Sequence, residues 1–370
     1  MKGIYYAGGE VIIHDPGPEM IPAFVGMDPS YAVQSVKPKP DFIPKFQRLR
    51  KIRVGLTKPL FEHSTRELWA MLSESHDETP DSSDGHTCSA LDVLHTLALR
   101  SLSECSLCGW NCGVNRYRGP GKCDLDHRVF QSEPHIHVAE EPVINPAIVT
   151  NFGGCAMRCC YCVDHMYWNA ETLPPLDPAA YWQKANTLKR HPISPVCLEF
   201  TNPTESLHGL IGLLAKVPSD FNLPVVLNCH LYGTRLFYDL AGPIADVWLP
   251  DLRYGNDECA KELSGVDNYV DHARIGLDAM CAQDGRVIVR ILVLPGHVSC
   301  CHDPAMKLLV EYKDTISVSI LEQYIPEHEA HIDPDLNRRP TREEIVHVKS
   351  LIELHGLRNV EMMLESFWNE

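Results

Sequence analysis

The chain has 370 residues, with 33 Lys and Arg against 49 Asp and Glu, giving a formal net charge of −16. Hydrophobic residues make up 44% and charged residues 22%, which suits a folded globular chain and argues against a disordered or fibrous one. A field this acidic repels phosphate backbones and anionic lipid, so neither a nucleic-acid partner nor a membrane surface is expected.

Residues 1 to about 58 are rich in Pro and Gly with scattered aromatics (Tyr5, Tyr6, Phe24, Tyr31, Phe42, Phe46) and read as an irregular arm. From Pro59 to Leu72 the apolar positions suit one helical face, and the acidic, Ser-rich stretch Ser73 to Thr87 reads as a mobile loop. Leu91, Leu94, Leu97, Ala98 and Leu102 space as a second amphipathic helix. His135 and His137 alternate with Ile136 and Val138, the pattern of an exposed edge strand. Strands follow near Ile148 to Phe152, Val196 to Phe200, Val225 to Asn228, Val247 to Leu249, Val287 to Leu294 and Ile316 to Leu321. Helical patterns lie between them at Leu207 to Ala215, Asn268 to Ala282 and Pro304 to Tyr312. Such alternation predicts parallel strands with right-handed crossovers, an α/β sheet or partial barrel with its chemistry at the C-terminal strand ends.

The first ten residues hold no apolar stretch of signal-peptide length, and no apolar run approaches the roughly 18 residues of a membrane span. A cytoplasmic location is therefore expected. Fifteen cysteines in a reducing compartment point to metal or catalytic roles ahead of a disulfide framework. Directly after the first strand of the α/β part, Cys155, Cys159 and Cys162 give C-x3-C-x2-C with Tyr161 before the last thiol. At this cysteine content the spacing should arise by chance only about 0.02 times. Three thiolates on one loop can hold three irons of a [4Fe-4S] cluster and leave the fourth iron open to a ligand. A structural zinc knuckle is the plainer alternative; Cys160, off the spacing, reads as an inert thiol.

This motif resembles that of the radical S-adenosylmethionine superfamily. From about Cys105 to about Val360 the chain is similar, in particular, to pyruvate formate-lyase activating enzyme-like proteins. The likeness runs through Cys105-Ser106-Leu107-Cys108, Cys112 to Arg116, His137 with Glu140-Glu141-Pro142, the three-cysteine loop, Leu249 to Tyr254 and Val289 to Gly296. It implies a partial (β/α)6 TIM-type barrel, here with an N-terminal extension and a Cys-rich knuckle. The division is residues 1–103, 104–146 and 147–370: an arm with two helices, a metal-binding segment, and the barrel with a C-terminal helix. It also implies that the open iron chelates S-adenosylmethionine, which is cleaved to methionine and a 5′-deoxyadenosyl radical able to take hydrogen from an unactivated carbon. Asp251, Arg253 and Arg290 are implied as S-adenosylmethionine contacts; barrel-mouth ion pairs are the structural alternative. Asn202 stands where the family usually has an acidic residue for the methionine ammonium, and Glu199 or Glu205 could supply the missing charge. No residue is assigned as acid or base.

Cys105, Cys108, Cys112 and Cys123 form C-x2-C-x3-C-x10-C in a Gly-rich segment. A closed zinc or single-iron knuckle is the first reading and an auxiliary iron-sulfur cluster the second. Cys300-Cys301-His302 and Asn228-Cys229-His230 lie at strand ends, where histidine can be acid, ligand or plain core. Tyr161, Tyr167 and Trp168 could shield a radical, though packing is their ordinary use. The expected function is hydrogen abstraction from an sp3 carbon, a backbone Cα, of a protein or peptide substrate. The favoured outcome is cobalamin-dependent C-methylation, resembling the methylases that modify methyl-coenzyme M reductase at glutamine, with flavodoxin or ferredoxin as electron donor. The alternatives are a glycyl radical enzyme activase and a non-catalytic iron-sulfur electron carrier.

Overall fold

The computed structural model describes residues 4–7, 10–13, 37–75, 86–138, 140–360 and 367–368. Its centre is a nine-stranded sheet in the order β11-β10-β9-β8-β7-β6-β5-β1-β2. Strands β6 (Ala147–Asn151), β7 (Cys197–Thr201), β8 (Val225–Cys229), β9 (Val247–Pro250), β10 (Arg286–Leu292) and β11 (Ile316–Leu321) are parallel and pair in sequence order. Both β6 and β8 are buried along their whole length, as parallel strands covered on two faces should be. The crossovers carry α4 (Pro178–Lys189), α5 (Leu207–Ala215), α6 (Arg235–Ala241), α7 (Asp257–Ser264), α8 (Tyr269–Cys281) and α9 (Asp303–Leu309), and α10 (Arg342–His355) follows β11. The expected α/β alternation is present, and the described strands form an open sheet with ends, not a closed barrel.

The helices absent from the sequence reading, α4, α6 and α7, and the C-terminal helix α10, expected without bounds, are mostly announced by their caps. Asp177 accepts from the first turn of α4 with Pro178 at its start, Asn256 caps α7, and Thr341 with Glu344 forms a capping box on α10. The helix expected from Pro59 begins later, as α2 (Thr65–Glu74), because Ser64 and Glu67 close a capping box there. The proposed loop at Ser73 to Thr87 lies mostly outside the described residues.

Two expectations need correction. The stretch to residue 58 is not wholly irregular: β1 (Ile4–Ala7) and β2 (Glu10–Ile13) form a hairpin, and α1 (Lys45–Lys51) is followed by β3 (Arg53–Leu56), which pairs with β4 (His86–Ser89). Phe46 is fully buried, Gln47 Nε2 donates to Phe221 O at 2.6 Å, and Asp246 accepts from the backbone of both Lys45 and Val225. With α3 (Ala90–Arg100) lying on α5, this segment shares one apolar core with the parallel strands. Second, His135–His137 (β5) is not an exposed edge; β1 and β6 flank it antiparallel, and His135 is buried.

Candidate functional site

The C-terminal ends of the parallel strands enclose a cavity of about 310 Å³. Its wall includes Cys155 and Cys162 from the loop after β6, with Glu199 and Asn202 at β7, Asn228 at β8, Asp251 and Arg253 after β9, and Arg290 on β10. All four residues expected to contact a ligand, Asn202, Asp251, Arg253 and Arg290, therefore reach one space together with two of the three thiols. A more open cleft of about 630 Å³ runs outside, past Asp124, Arg128 and Arg158, and no cysteine lines it.

The charged residues are not independent. Asp251 accepts from Arg290 Nε at 2.6 Å and from Arg253 Nη2 at 2.9 Å, so one carboxylate bridges two guanidinium groups. Arg290 Nη2 also donates to Asn228 Oδ1 at 2.7 Å, and Asn228 Nδ2 donates to Glu199 Oε1 at 2.8 Å. The barrel-mouth ion pair is thus real, and it coexists with an opening for a ligand: Arg253 Nε is buried with no partner among the described residues. An orphaned guanidinium N–H on a cavity wall is a ready partner for a carboxylate.

Asn202 is engaged on the cysteine loop itself. Its backbone is left-handed, with φ of 60°, and its Nδ2 donates to Gly154 O. Gly154 has φ of +85°, and a Cβ there would stand 2.5 Å from Leu125, so only glycine fits this turn. Of the two acids that could replace the missing charge, Glu199 lines the cavity. Glu205 instead lies beneath the loop, accepting from Ala156 N at 3.0 Å and paired with His230 at 3.1 Å. Since His230 Nδ1 accepts from Tyr232 N, its Nε2 carries the proton donated to Glu205.

The thiols sense one another. Burial pushes Cys155 up to about 12, with Glu205 and Cys159 adding to the effect. Burial likewise raises Cys162, and Cys159 reinforces it. Their three sulfurs do not all lie within 4.8 Å of one another. Three thiols on one loop match the three-ligand set of an iron-sulfur cluster with one open iron, whereas a structural zinc takes four protein ligands.

The second set is gathered but packs away from the cavity. A Cβ on Gly121 would lie 3.4 Å from Cys112 Sγ and 3.7 Å from Cys123 Sγ, and burial raises Cys108 with Glu205, Cys123 and Cys105 contributing. No three of these sulfurs lie within 4.8 Å of one another either. This segment abuts the first loop, for Trp110 Nε1 donates to Ala156 O at 2.9 Å.

Sequence reasoning assigned no ligand-binding role to several other residues of the cavity and its surroundings. His137 lies 3.6 Å from Glu140, and both line the cavity with Asp164 and Gln323. Burial opposes charge on His137, but Glu140 outweighs it and raises the imidazole pKa. The following Glu141 is fully buried, which pushes its carboxyl up, and it hydrogen-bonds Ser319. Tyr161 is buried against Tyr254 and Tyr324, while Tyr167 and Trp168 reach the cavity wall. His302 is core: its Nε2 accepts from Leu294 N, and burial lowers it to about 4.

Fold and site together define an α/β protein with a thiol loop and an Asp-Arg network meeting at parallel strand ends. The chain is 32% identical over 275 residues to Uncharacterized protein MJ0674 of Methanocaldococcus jannaschii, covering 72% of this chain and 79% of that protein. It belongs to the same family. No protein-family model matches the chain. A partial structural likeness, with TM-score 0.34 and 15% identity over 47% of this chain and 36% of the other, is to the radical S-adenosylmethionine methyltransferase TsrM from Kitasatospora setae, solved with cobalamin and a [4Fe-4S] cluster bound. Among the described residues no helix is long and apolar enough to cross a membrane.

Proposed function

We propose that this chain is a radical S-adenosylmethionine enzyme acting on an sp3 carbon of a polypeptide. The observation that carries the reading is the meeting of Cys155 and Cys162 with Asn202, Asp251, Arg253 and Arg290 around one cavity. Cys155, Cys159 and Cys162 would hold a [4Fe-4S] cluster, which supplies one electron for cleavage of the sulfonium. Arg253 and Arg290 would orient the ligand carboxylate, and Glu199 would face its ammonium. Glu205 fixes the backbone of the thiol loop, and the buried Tyr161, Tyr254 and Tyr324 keep water from its inner side. A cavity of about 310 Å³ is at the lower limit for a small-molecule site, enough for a nucleoside-sized ligand and too small for a corrin beside it.

A polypeptide substrate could take apolar contacts from Val163 on the cavity wall and from Met166 three residues further on, which are 51% and 47% exposed. Methyl transfer from cobalamin is the favoured outcome of the hydrogen abstraction, with a flavodoxin or ferredoxin as donor. A corrin would sit outside the strand-end cavity. Of the arm aromatics available to cover it, Phe46 is core and Phe42 packs edge-on against Trp368, while Tyr5, Tyr6, Phe24 and Tyr31 lie outside the residues whose side chains are described. Anaerobic reconstitution with iron and sulfide, reduction, and addition of S-adenosylmethionine should yield 5′-deoxyadenosine. A reconstituted cluster that yields none, and whose electron paramagnetic resonance spectrum ignores S-adenosylmethionine, makes the protein an electron carrier. Corrinoid extraction separates methylase from glycyl radical activase: no bound corrinoid with retained 5′-deoxyadenosine formation favours the activase.

A further inference from the structure

One cluster lies outside the site above. Cys259 on α7, and His297 and Cys300 in the turn between β10 and α9, form the one group of three potential ligands among the described residues whose donor atoms all lie within 4.8 Å. Cys259 Sγ is 3.7 Å from Cys300 Sγ and 3.6 Å from His297 Nδ1, and Cys300 Sγ is 3.5 Å from the same nitrogen. A tetrahedral zinc with Zn–S of about 2.3 Å and Zn–N of about 2.0–2.1 Å sets two sulfurs about 3.8 Å apart and sulfur and nitrogen about 3.5 Å apart. The three distances reproduce that triangle. We propose that Cys259, His297 and Cys300 form a divalent-metal site of the zinc class, with its fourth position on the solvent side where Cys300 is exposed.

The surroundings are built for this. His297 and Cys300 share the π-helical turn Val298–His302 and its leading residue, in which His302 N donates to His297 O at 3.2 Å. Asn256 clasps both walls, accepting from Cys259 N at 2.7 Å and donating to Cys259 Sγ at 3.3 Å and to Cys300 O. A Cβ on Gly255 would meet Cys301 O at 2.2 Å and Ala305 N at 2.4 Å, so the two ligand-bearing segments touch through backbone that only glycine allows. His297 Nε2 lies 3.9 Å from Asp333 Oδ2, the carboxylate on the far side of the ring that orients a metal-binding imidazole. The neighbouring Cys301 accepts from Gly255 N at 3.2 Å and donates to Arg253 O at 3.8 Å, and its thiol also faces Cys259 from the inner side of the cluster.

The competing assignment is a redox pair of Cys259 and Cys300. A disulfide gives no reason for an imidazole nitrogen equidistant from both sulfurs with a carboxylate behind it. The metal site does. Its place in the fold gives it a role: it ties the start of α7, four residues beyond Arg253, to the turn after β10, and so fixes one wall of the strand-end cavity. This assignment stands on its own residues and does not depend on the function proposed above.

The full chain, purified anaerobically and stripped by chelator, is titrated with zinc and separately with cobalt(II). Zinc by plasma mass spectrometry should fall by one equivalent in Cys300→Ser and in His297→Gln, and remain at the wild-type value for this site in Cys155→Ala. The cobalt form should show the thiolate charge-transfer and intense d–d absorption of a tetrahedral site, lost in Cys300→Ser and retained in Cys155→Ala. Because Cys300 is exposed, its serine variant should fold, which circular dichroism verifies. Unchanged zinc content and cobalt spectrum in folded Cys300→Ser overturn the proposal, as does a Cys259–Cys300 disulfide found by mass spectrometry in the anaerobic protein.

Discussion

The loop of Cys155, Cys159 and Cys162 and the segment of Cys105, Cys108, Cys112 and Cys123 have similar spacing and comparable burial, yet they face different surroundings. The first opens onto a cavity shared with Asp251, Arg253 and Arg290. The second is folded behind it, joined through Trp110 and through Leu125, which lies against Gly154. Thiols alone define a place for metal; only the open side of the first loop brings that place into contact with charged groups able to orient a substrate-sized ligand. Glu205, which bears on both sets, makes them electrostatic neighbours.

The strongest way to break this comparison is to remove one thiol from each region. Cys162→Ala should abolish 5′-deoxyadenosine formation and the cluster absorbance of the first loop. Cys112→Ala should lower metal content while leaving S-adenosylmethionine-sensitive paramagnetic resonance in place. If both variants lose the same signal, the two regions hold one centre. Next in size is Asp251→Asn. It leaves two partly buried guanidinium groups without their shared carboxylate, and breaking a buried pair costs about 3–5 kcal/mol. Chemical denaturation should register most of that loss, and affinity for S-adenosylmethionine should fall with it.

Smaller still is Trp110→Phe, which removes the hydrogen bond to Ala156 O and should cost ~1 kcal/mol in denaturant titration. A larger cost would mean that the second segment braces the first. The smallest effect concerns Glu344, whose hydrogen bond from Arg338, with Gly296 N and Thr341 N, draws its carboxyl down to about 2. A folded-state value below the unfolded one means that this contribution is present above about pH 4.5 and is lost as pH falls toward 2. Stability measured across that interval should decline less steeply in Glu344→Gln. Thr341→Ala, which removes the cap itself, should cost ~1 kcal/mol.

Local pattern accounted for much of the fold. Continuous β-branched runs announced all six parallel strands to within a residue or two, because strands buried on both faces admit little else. Leu207–Ala215 was legible to its ends because its apolar face meets α3. Pairings across the chain were not legible. That His135–His137 would lie between β1 and β6 depends on a hairpin distant in sequence.

The same division holds for the sites. Cys155, Cys159 and Cys162 lie within one turn-rich loop, so chain connectivity alone keeps their sulfurs close, and the sequence by itself determined that grouping. The family resemblance, not the pattern of strands, placed Asp251 and Arg290 at one pocket. Only the tertiary structure decided that one carboxylate bridges both arginines, that Glu199 faces the cavity while Glu205 lies beneath the loop, and that Cys259 meets His297 and Cys300 across 38 and 41 residues. Contacts of that kind are set by how helices seat on the sheet, a packing outcome that no local spacing encodes.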